Sequence, residues 1–344
     1  PVCSHIKYIE AEQKPQRAAA FAFVIHRFGL FSIIWNIPEK GAGKPLWAEF
    51  VGSEDMAKNT FGIIGGDERQ IYLARSMQED GYEVSVCCLE NARNTMGLRQ
   101  TGMHSLVERC NVIILPLPAT RDGCYLNTPL SNLEVRLDGD FARLFLNSRV
   151  FGGMLPRLTA TSDLWRGIDS RDYYSREELV TGNAYLTAEG AIGLAVQEYE
   201  GGLGGSQCLV TGYGRIGKAL CGMLKGMGAR VSCSARRASD LTSIRATGCR
   251  ALSYSELVNS FDIIFNTVPA RVLDAQILES QRSDTLIIEL ASAPGGIDLE
   301  TAGSLGLRVL AAPSLPGRMS PKASGELIKE TVYNMLNEDR KEMV

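Results

Sequence analysis

The sequence predicts an α/β protein with two doubly wound parallel sheets in succession. Short apolar stretches that suit strands alternate with helical patterns, which is typical of parallel sheets joined by crossover helices. A glycine-rich turn at 212–217 lies between a strand and a helix, as in dinucleotide-binding folds. The length of 344 residues suits about two domains. We therefore expect two Rossmann-like domains with an interdomain cleft.

The composition is that of an ordinary globular protein, with 45% hydrophobic residues, 22% charged residues and a formal net charge of -3. This balance indicates neither a nucleic-acid partner nor a membrane surface. The nine cysteines form no CxxC pair, so we expect reduced thiols in a cytoplasm and no metal site. Cys87 and Cys88 fall in a predicted strand, where adjacent side chains face opposite ways, and are interpreted as buried small residues.

Residues 1–55 differ from the rest of the chain, because they contain no Met and show no sustained helical or strand pattern. Their most apolar part, 18–35, is interrupted by His26 and Arg27, whereas a membrane helix needs about 20 apolar residues. Met56 directly precedes the first clear strand. We therefore expect the natural protein to begin at Met56, with 1–55 as an extension that is not native or is poorly ordered.

The first domain is predicted over residues 56–186. Its elements are a strand at 61–64, a glycine turn and helix up to residue 80, and strands at 83–89 and 112–115. The glycine turn lacks the GxGxxG spacing. A substrate-binding domain therefore explains this half better than a second nucleotide site.

The second domain is predicted over residues 187–319. A connecting helix is expected to open at Thr187 as its N-cap and to end at the glycine run 201–205. Successive apolar strands follow, marked by Val210, Val231, Ala251, Ile263-Ile264-Phe265, Leu286-Ile287-Ile288 and Val309-Leu310. The last helix, from about 321 to 337, is expected to return to the first domain by analogy with two-domain dehydrogenases, so 320–344 is grouped with that domain.

The turn at 212–217 predicts a dinucleotide site. Gly212 permits the tight turn, Gly214 lets the backbone approach a pyrophosphate, and Gly217 lets the helix pack closely on its strand. The helix N-terminus adds free amide groups and a positive dipole end. The intervening cofactor-binding candidates are Tyr213, Arg215 and Ile216.

The end of the following strand favours NADP over NAD. An NAD site usually has Asp or Glu there, whereas this chain has Ser234, Arg236 and Arg237. A hydroxyl and two guanidinium groups suit a 2′-phosphate. The alternative is that both arginines belong to an ordinary solvated loop, and NAD remains possible.

The chain resembles the dipicolinate synthase A subunit family from about Thr60 to the C-terminus. The motifs that carry the resemblance are, besides the dinucleotide turn, Gly65-Gly66-Asp67-Glu68-Arg69-Gln70, Thr187-Ala188-Glu189-Gly190, Asn266-Thr267-Val268-Pro269, Leu290-Ala291-Ser292-Ala293-Pro294-Gly295-Gly296, Pro313-Ser314-Leu315-Pro316-Gly317 and Pro321-Lys322. The resemblance implies NAD(P)-linked oxidation of dihydrodipicolinate, or of its hydrated precursor, to pyridine-2,6-dicarboxylate during sporulation. The implied partner is a flavoprotein-like B subunit, and the resemblance further implies an oligomeric assembly and the mother-cell cytoplasm.

Several residues in these motifs are candidates for substrate chemistry. Arg69 is expected to bind a substrate carboxylate, or else to be a surface arginine paired with Asp67 or Glu68. Glu189 is expected to act as acid or base, or else to be a first-turn carboxylate that complements the helix dipole. Lys322 matches the family motif and is a candidate for substrate binding and catalysis, and Asn183 for an amide contact. Positions on the nicotinamide side of the cofactor are expected at Thr267, Val268, Pro269 and Ala291.

The nearest competing class is the D-2-hydroxyacid dehydrogenases, which share the two-domain plan. They need a histidine acid/base after the last strands of the dinucleotide domain. The three histidines here, His5, His26 and His104, all precede Gly212, which argues against that class. A protein of another kind, which senses NADP or acts as a scaffold without hydride transfer, remains an alternative.

Overall fold

The computed structural model describes residues 59–343. The expectation of an extension over 1–55 lies outside the described residues. The first sheet contains six parallel strands in the order β3-β2-β1-β4-β5-β6. They are β1 (Thr60–Ile64), β2 (Glu83–Cys87), β3 (Arg99–Gln100), β4 (Val112–Ile114), β5 (Arg149–Gly152) and β6 (Ser170–Asp172).

The second sheet also has six parallel strands, in the order β12-β11-β10-β7-β8-β9. They are β7 (Gln207–Thr211), β8 (Arg230–Ser234), β9 (Arg250–Leu252), β10 (Ile263–Asn266), β11 (Leu286–Glu289) and β12 (Arg308–Ala311). Both sheets therefore have the strand order of a doubly wound dinucleotide-binding fold, and the predicted pair of Rossmann-like domains is confirmed. In each sheet the strand order reverses next to the first strand, beside β1 and beside β7, where such folds bind ligands.

The α-helices lie mainly in the crossovers between strands. In chain order they are α1 (Glu68–Glu79), α2 (Met103–Arg109), α3 (Gly139–Arg143), α4 (Pro156–Thr159), α5 (Glu177–Glu198), α6 (Arg215–Gly226), α7 (Ala238–Ala246), α8 (Ala275–Glu279), α9 (Leu299–Ser304), α10 (Leu315–Met319) and α11 (Pro321–Met343).

The central strands form because their residues are apolar on both faces, as parallel strands covered by helices require. Ile263, Ile264 and Phe265 of β10 are fully buried, and so are Ile63 and Ile64 of β1. Side chains of β10 point alternately to opposite faces, so Phe265 and Ile264 belong to different clusters of the core. The two faces of the second sheet are therefore both packed, and its open edge for ligands is the carboxyl end.

The connecting helix α5 is longer than the sequence predicts. It begins at Glu177 rather than at Thr187, and Thr187 is an interior residue whose hydroxyl donates a 2.7 Å hydrogen bond to the carbonyl oxygen of Asn183. The N-cap prediction for Thr187 and the interpretation of Glu189 as a first-turn carboxylate are therefore wrong. The helix contacts α6, α10, α11 and β11. Because neighbours surround it, it lacks the single apolar stripe that marks a helix in sequence.

The last helix packs on the first domain. Lys329 of α11 donates hydrogen bonds of 2.6 Å to the hydroxyl of Ser76 and 2.9 Å to the carboxylate of Asp80, both at the end of α1. Gly325 allows close contact, because an added Cβ would lie 2.6 Å from the carbonyl oxygen of Arg69. The contact between α11 and α1 thus combines close backbone approach with a buried ion pair.

Candidate dinucleotide and substrate site

Three glycines shape the turn between β7 and α6. Gly212 has a φ of +86°, and an added Cβ there would lie 2.7 Å from Cγ2 of Val268 and 2.8 Å from the hydroxyl of Thr267. An added Cβ on Gly217 would overlap the carbonyl oxygen of Gly212. At Gly214, by contrast, an added Cβ would meet no atom within 4 Å. The first and third glycines thus serve packing, while the second leaves open the space that a pyrophosphate needs.

The N-terminus of α6 suits an anion. Its N-cap is Gly214, and no side chain of the described residues caps the helix. The first amide groups of a helix have no partner within the helix, and the dipole makes that end positive. A phosphate at this position would therefore find free donors and a favourable field.

The side chains of the turn have different surroundings. Tyr213 and Ile216 are half-buried against the core of the second domain. Arg215 is exposed, and its Nε and Nη2 lie 2.8 Å and 2.6 Å from the two carboxylate oxygens of Glu177, the first residue of α5. The guanidinium of Arg215 thus links α6 to α5.

The residues after β8 present free positive charge. Arg236 and Arg237 are exposed, and neither guanidinium group forms an ion pair or a hydrogen bond within residues 59–343. Ser234 is fully buried, beside the phenol of Tyr254. The two arginine side chains are therefore accessible to a phosphate at the surface, whereas the hydroxyl of Ser234 is not.

A polar network lies where the strand order of the second sheet reverses. Thr211 and Asn266 are paired across β7 and β10, and the hydroxyl of Thr211 donates a hydrogen bond to Oδ1 of Asn266. Nδ2 of Asn266 donates to the carboxylate of Glu289 at 2.7 Å and to the carbonyl oxygen of Val268 at 3.1 Å. The hydroxyl of Thr267 donates to the carbonyl oxygen of Thr211 at 2.7 Å. These bonds fix the start of the loop at 267–269.

Glu289 fixes the next loop in the same way. Its carboxylate accepts hydrogen bonds of 2.9 Å from the amides of Ala291 and Gly296. The loops that contain Val268, Pro269 and Ala291 are therefore held by side chains at the strand ends. Sequence reasoning missed Asn266 and Glu289, although a polar residue directly after a buried apolar strand is a usable signal.

Glu189 lies in the middle of α5. Its side chain is exposed, yet surrounding protein atoms desolvate its carboxylate and raise its pKa. Because the Glu189 side chain is accessible to water and is also surrounded by protein atoms, it lies on a concave part of the surface rather than on an open helix face. Among the described residues the carboxylate has no hydrogen-bond or ion-pair partner. A carboxyl group of this kind is suited to proton transfer.

Arg69 lies where the strand order of the first sheet reverses. It is 7% exposed, its Nε and Nη2 bind the two oxygens of Asp67 at 2.8 Å each, and Nη2 also donates to the carbonyl oxygen of Leu117 at 2.5 Å. An added Cβ on Gly317 would lie 3.0 Å from Nε of Arg69 and from the carboxylate of Asp67. The pairing with Asp67 is therefore present, but Arg69 is buried beside α10 rather than on the surface, while the side chain of Asp67 is partly exposed.

Helix α10 lies between the two sets of candidate residues. On one side Gly317 covers the pair Arg69–Asp67. On the other, Leu315 lies 3.1 Å from the position of a Cβ on Gly190, which follows Glu189 in α5. Of the two remaining candidates, Asn183 is half-buried about 1.7 turns before Glu189 in the same helix, and Lys322 is exposed in the first turn of α11.

The described residues contain neither a candidate metal cluster nor a candidate membrane span. Between residues 59 and 343 no group of three or more His, Cys, Asp or Glu side chains could hold a metal ion. In that same part of the chain, no helix combines the length and the apolar character that a membrane crossing needs.

Comparisons with known proteins match both halves of the chain. The family model for the N-terminal domain of the dipicolinate synthase A subunit matches residues 60–162. The family model for the D-isomer specific 2-hydroxyacid dehydrogenase NAD binding domain matches residues 178–294. The transhydrogenase from Sinorhizobium meliloti, with 15% identity and a TM-score of 0.56 over 80% of this chain and 93% of that chain, shares the fold.

Relatives with higher sequence identity support the match to the dipicolinate synthase A subunit. The dipicolinate synthase A subunit of Bacillus subtilis is 30% identical over 80% of this chain and 95% of that protein. The crystal structure of the Bacillus subtilis A chain has 29% identity and a TM-score of 0.71, over 83% of this chain and 97% of that one. The Bacillus halodurans structure has 26% identity and a TM-score of 0.70, over 81% and 97%. The chain therefore belongs to the dipicolinate synthase A subunit family and carries an NAD-binding domain of the dehydrogenase type.

Proposed function

We propose that this chain catalyses the NADP-linked oxidation of dihydrodipicolinate, or of its hydrated precursor, to pyridine-2,6-dicarboxylate. The observation that carries the proposal is the turn at Gly214, where the space for a pyrophosphate is open and the following helix has no side-chain cap. Family membership supplies the substrate class. The resemblance, not the geometry, suggests a role in sporulation.

NADP is preferred over NAD because of the charges beyond β8. Arg236 and Arg237 are exposed and unpaired within the described part of the chain, and a 2′-phosphate would form charge-assisted bonds with them. A carboxylate that would accept bonds from an unphosphorylated ribose is absent from residues 234–237.

The reaction removes a hydride and a proton from a ring that becomes aromatic. When bound, the nicotinamide would accept the hydride. Glu189 has the features of the group that accepts the proton, because its carboxylate is unpaired and its raised pKa makes it a stronger base than an ordinary glutamate. With a hydrated precursor, the protonated form of the same residue would donate a proton to the departing hydroxyl, which leaves as water, and the neighbouring ring carbon would lose a proton to solvent. Asn266 and Glu289 act indirectly, by holding the loops on the nicotinamide side.

The substrate carries two carboxylates and needs positive partners. Lys322 is exposed at the start of α11, and its ammonium group forms no ion pair or hydrogen bond with another described residue. Its position in the first turn adds the field of the helix N-terminus. We therefore include Lys322 as the residue that binds one substrate carboxylate, with Asn183 as a neutral donor.

The proposed partner is the flavoprotein-like B subunit of dipicolinate synthase. The support for this pairing is the family membership alone. An assay of activity therefore has to include both the isolated chain and the chain together with the B subunit.

The decisive experiment follows absorbance of the reduced nicotinamide after addition of freshly generated dihydrodipicolinate. The expected result is a substrate-dependent rise with NADP that exceeds the rise with NAD, in the presence of the B subunit. Absence of a signal with either nucleotide, with and without the B subunit, would overturn the proposal. Binding of NADP by calorimetry without any reduction would instead support a sensing or scaffolding role.

A further inference from the structure

Cys87 and Cys88 do not have the arrangement that their sequence suggests. Strand β2 ends at Cys87, and Cys88 has a φ of +57° instead of continuing the extended strand. The expected opposite orientation of the two side chains requires an extended backbone at both residues, so it is wrong. The two Sγ atoms lie 3.4 Å apart on the same side.

The two thiols line a cavity of about 180 Å³ at the carboxyl end of β2. The cavity is also lined by Glu90, Gln100 and Leu133, which are exposed residues, so it opens to the surface. A small solute in the cavity can therefore approach Cys87 and Cys88, which are 7% and 5% exposed.

The surroundings make the two thiols unequal. A hydrogen bond from the thiol of Cys88 lowers the pKa of Cys87, while the same contact and burial raise the pKa of Cys88. The thiolate is the nucleophilic form of cysteine. Cys87 is therefore the first thiol to react with an electrophile, and Cys88 is placed to react with the product.

We infer that Cys87 and Cys88 form a peroxide-sensitive dithiol that closes reversibly to a disulfide between adjacent residues. The thiolate of Cys87 attacks hydrogen peroxide, the O–O bond breaks, and a sulfenic acid forms on Cys87 with release of hydroxide. The thiol of Cys88 then attacks that sulfur, the S–S bond forms, and water leaves. In total two thiols and one peroxide give one disulfide and two waters.

A disulfide at this site would be easy to reduce. Adjacent Cα atoms are about 3.8 Å apart across a trans peptide, whereas disulfide-linked Cα atoms are usually about 4.4–6.8 Å apart. Geometry outside this range stores strain and raises the reduction potential, as in labile regulatory disulfides. A metal chelate is a poorer use of the pair, because no third ligating side chain of the described residues completes a metal site.

The pair is connected to the turn that precedes α1. The amide of Gly65 donates a 2.9 Å hydrogen bond to the carbonyl oxygen of Cys87. This carbonyl belongs to the peptide unit between Cys87 and Cys88, which becomes part of the ring when the disulfide closes. Oxidation therefore reorients the acceptor of the Gly65 bond, next to the segment that contains Asp67 and Arg69.

The test is peptide mapping of the full chain after treatment with limiting hydrogen peroxide. We expect a peptide that contains Cys87 and Cys88 and is lighter by two hydrogen atoms, and we expect dithiothreitol to restore both thiols. We also expect faster hydrogen exchange at the Gly65 amide in the oxidised chain. Unchanged exchange despite disulfide formation overturns the connection to the turn.

Two variants sharpen the assignment. Cys88→Ser is expected to leave a sulfenic acid on Cys87 that a dimedone probe traps. Cys110→Ser is the matched control, because Cys110 is buried in the same domain but does not line the cavity, and it should leave the oxidation unchanged. If Cys87 and Cys88 stay open to alkylation at a peroxide dose that oxidises the exposed Cys124, the inference is wrong. This result on the wild-type chain decides the matter even if a variant fails to fold, and it is independent of the proposed activity.

Discussion

Replacing Gly214 with valine separates cofactor binding from folding. Gly214 has extended backbone angles of φ -77° and ψ -167°, which valine adopts readily, and an added Cβ meets no atom within 4 Å. The folded chain therefore has room for the Cβ of the new side chain. The expected loss of stability is about 1 kcal/mol, from replacing glycine by a poorer N-cap residue.

The expected loss of binding is much larger. The valine side chain occupies the space in which the pyrophosphate would approach the amides at the start of α6. Hydrogen bonds to charged groups contribute about 1.5–3 kcal/mol each. Loss of two such bonds amounts to at least about 3 kcal/mol, which is a decrease in NADP affinity of about a hundredfold or more.

Calorimetric titration with NADP measures the dissociation constant, and thermal unfolding measures the stability of the same samples. Gly222→Val in α6 is the matched control, because Gly222 is exposed and an added Cβ there also meets no atom within 4 Å. Gly217→Ala provides the contrast, since its Cβ would overlap the carbonyl oxygen of Gly212 and should cost about 1–3 kcal/mol of stability. Unchanged NADP affinity in Gly214→Val would refute the site.

Two further predictions concern charge. Arg236→Ser and Arg237→Ser should each lower NADP affinity about tenfold and leave NAD affinity unchanged. The reason is that one charge-assisted bond to the 2′-phosphate contributes about 1.5 kcal/mol or more. Calorimetric titration with both nucleotides measures the two affinities. If Glu189 is the base, kcat should rise with pH as its carboxyl group ionises, at a pH above the usual range for a glutamate because burial raises its pKa. Glu189→Gln should abolish this rise, which a pH–rate profile measures.

Control variants distinguish these effects on nucleotide binding and activity from a general loss of folded structure. Arg230→Ser removes an exposed arginine from the start of β8 and should leave both nucleotide affinities unchanged. An equal loss of NAD and NADP affinity at Arg236 would contradict the 2′-phosphate contact. Because burial raises the pKa of folded Glu189, its ionisation destabilises the fold as pH rises through the raised value, so Glu189→Gln should be the more stable protein at neutral pH. Lower stability together with lower activity would indicate a structural role.

The sequence predicted the fold well because both sheets depend on continuous apolar strands. Runs such as Ile263-Ile264-Phe265 have few alternatives to a buried parallel strand when helical patterns flank them. The start of α5 was missed, since a helix with neighbours on several sides does not show one apolar face. The end of β2 was missed for a different reason: the left-handed conformation of Cys88 is set by its surroundings and has no sequence signal in a non-glycine residue.

The part of the candidate site that was predictable is the glycine turn at 212–217, because its backbone geometry depends on the spacing of the glycines. The roles of Gly212, Gly214 and Gly217 follow from the spacing alone, and the space around each glycine agrees with them. The side-chain partners could not be predicted, because they come from distant parts of the chain. Arg215 meets Glu177 across 38 positions, and Asn266 meets Glu289 across 23.

The charge balance around Arg69 affects which cationic side chains could bind the proposed dicarboxylate substrate. Asp67 occupies two nitrogens of the guanidinium and neutralises its charge, and Gly317 covers the pair. A substrate carboxylate placed there would face the negative charge of Asp67 at short range. Arg69 thus fixes the turn and Leu117 where the first sheet reverses its strand order, and its contact with a substrate carboxylate stays a prediction. No carboxylate of the described residues neutralises the exposed Lys322, which therefore keeps its full charge for the proposed substrate contact.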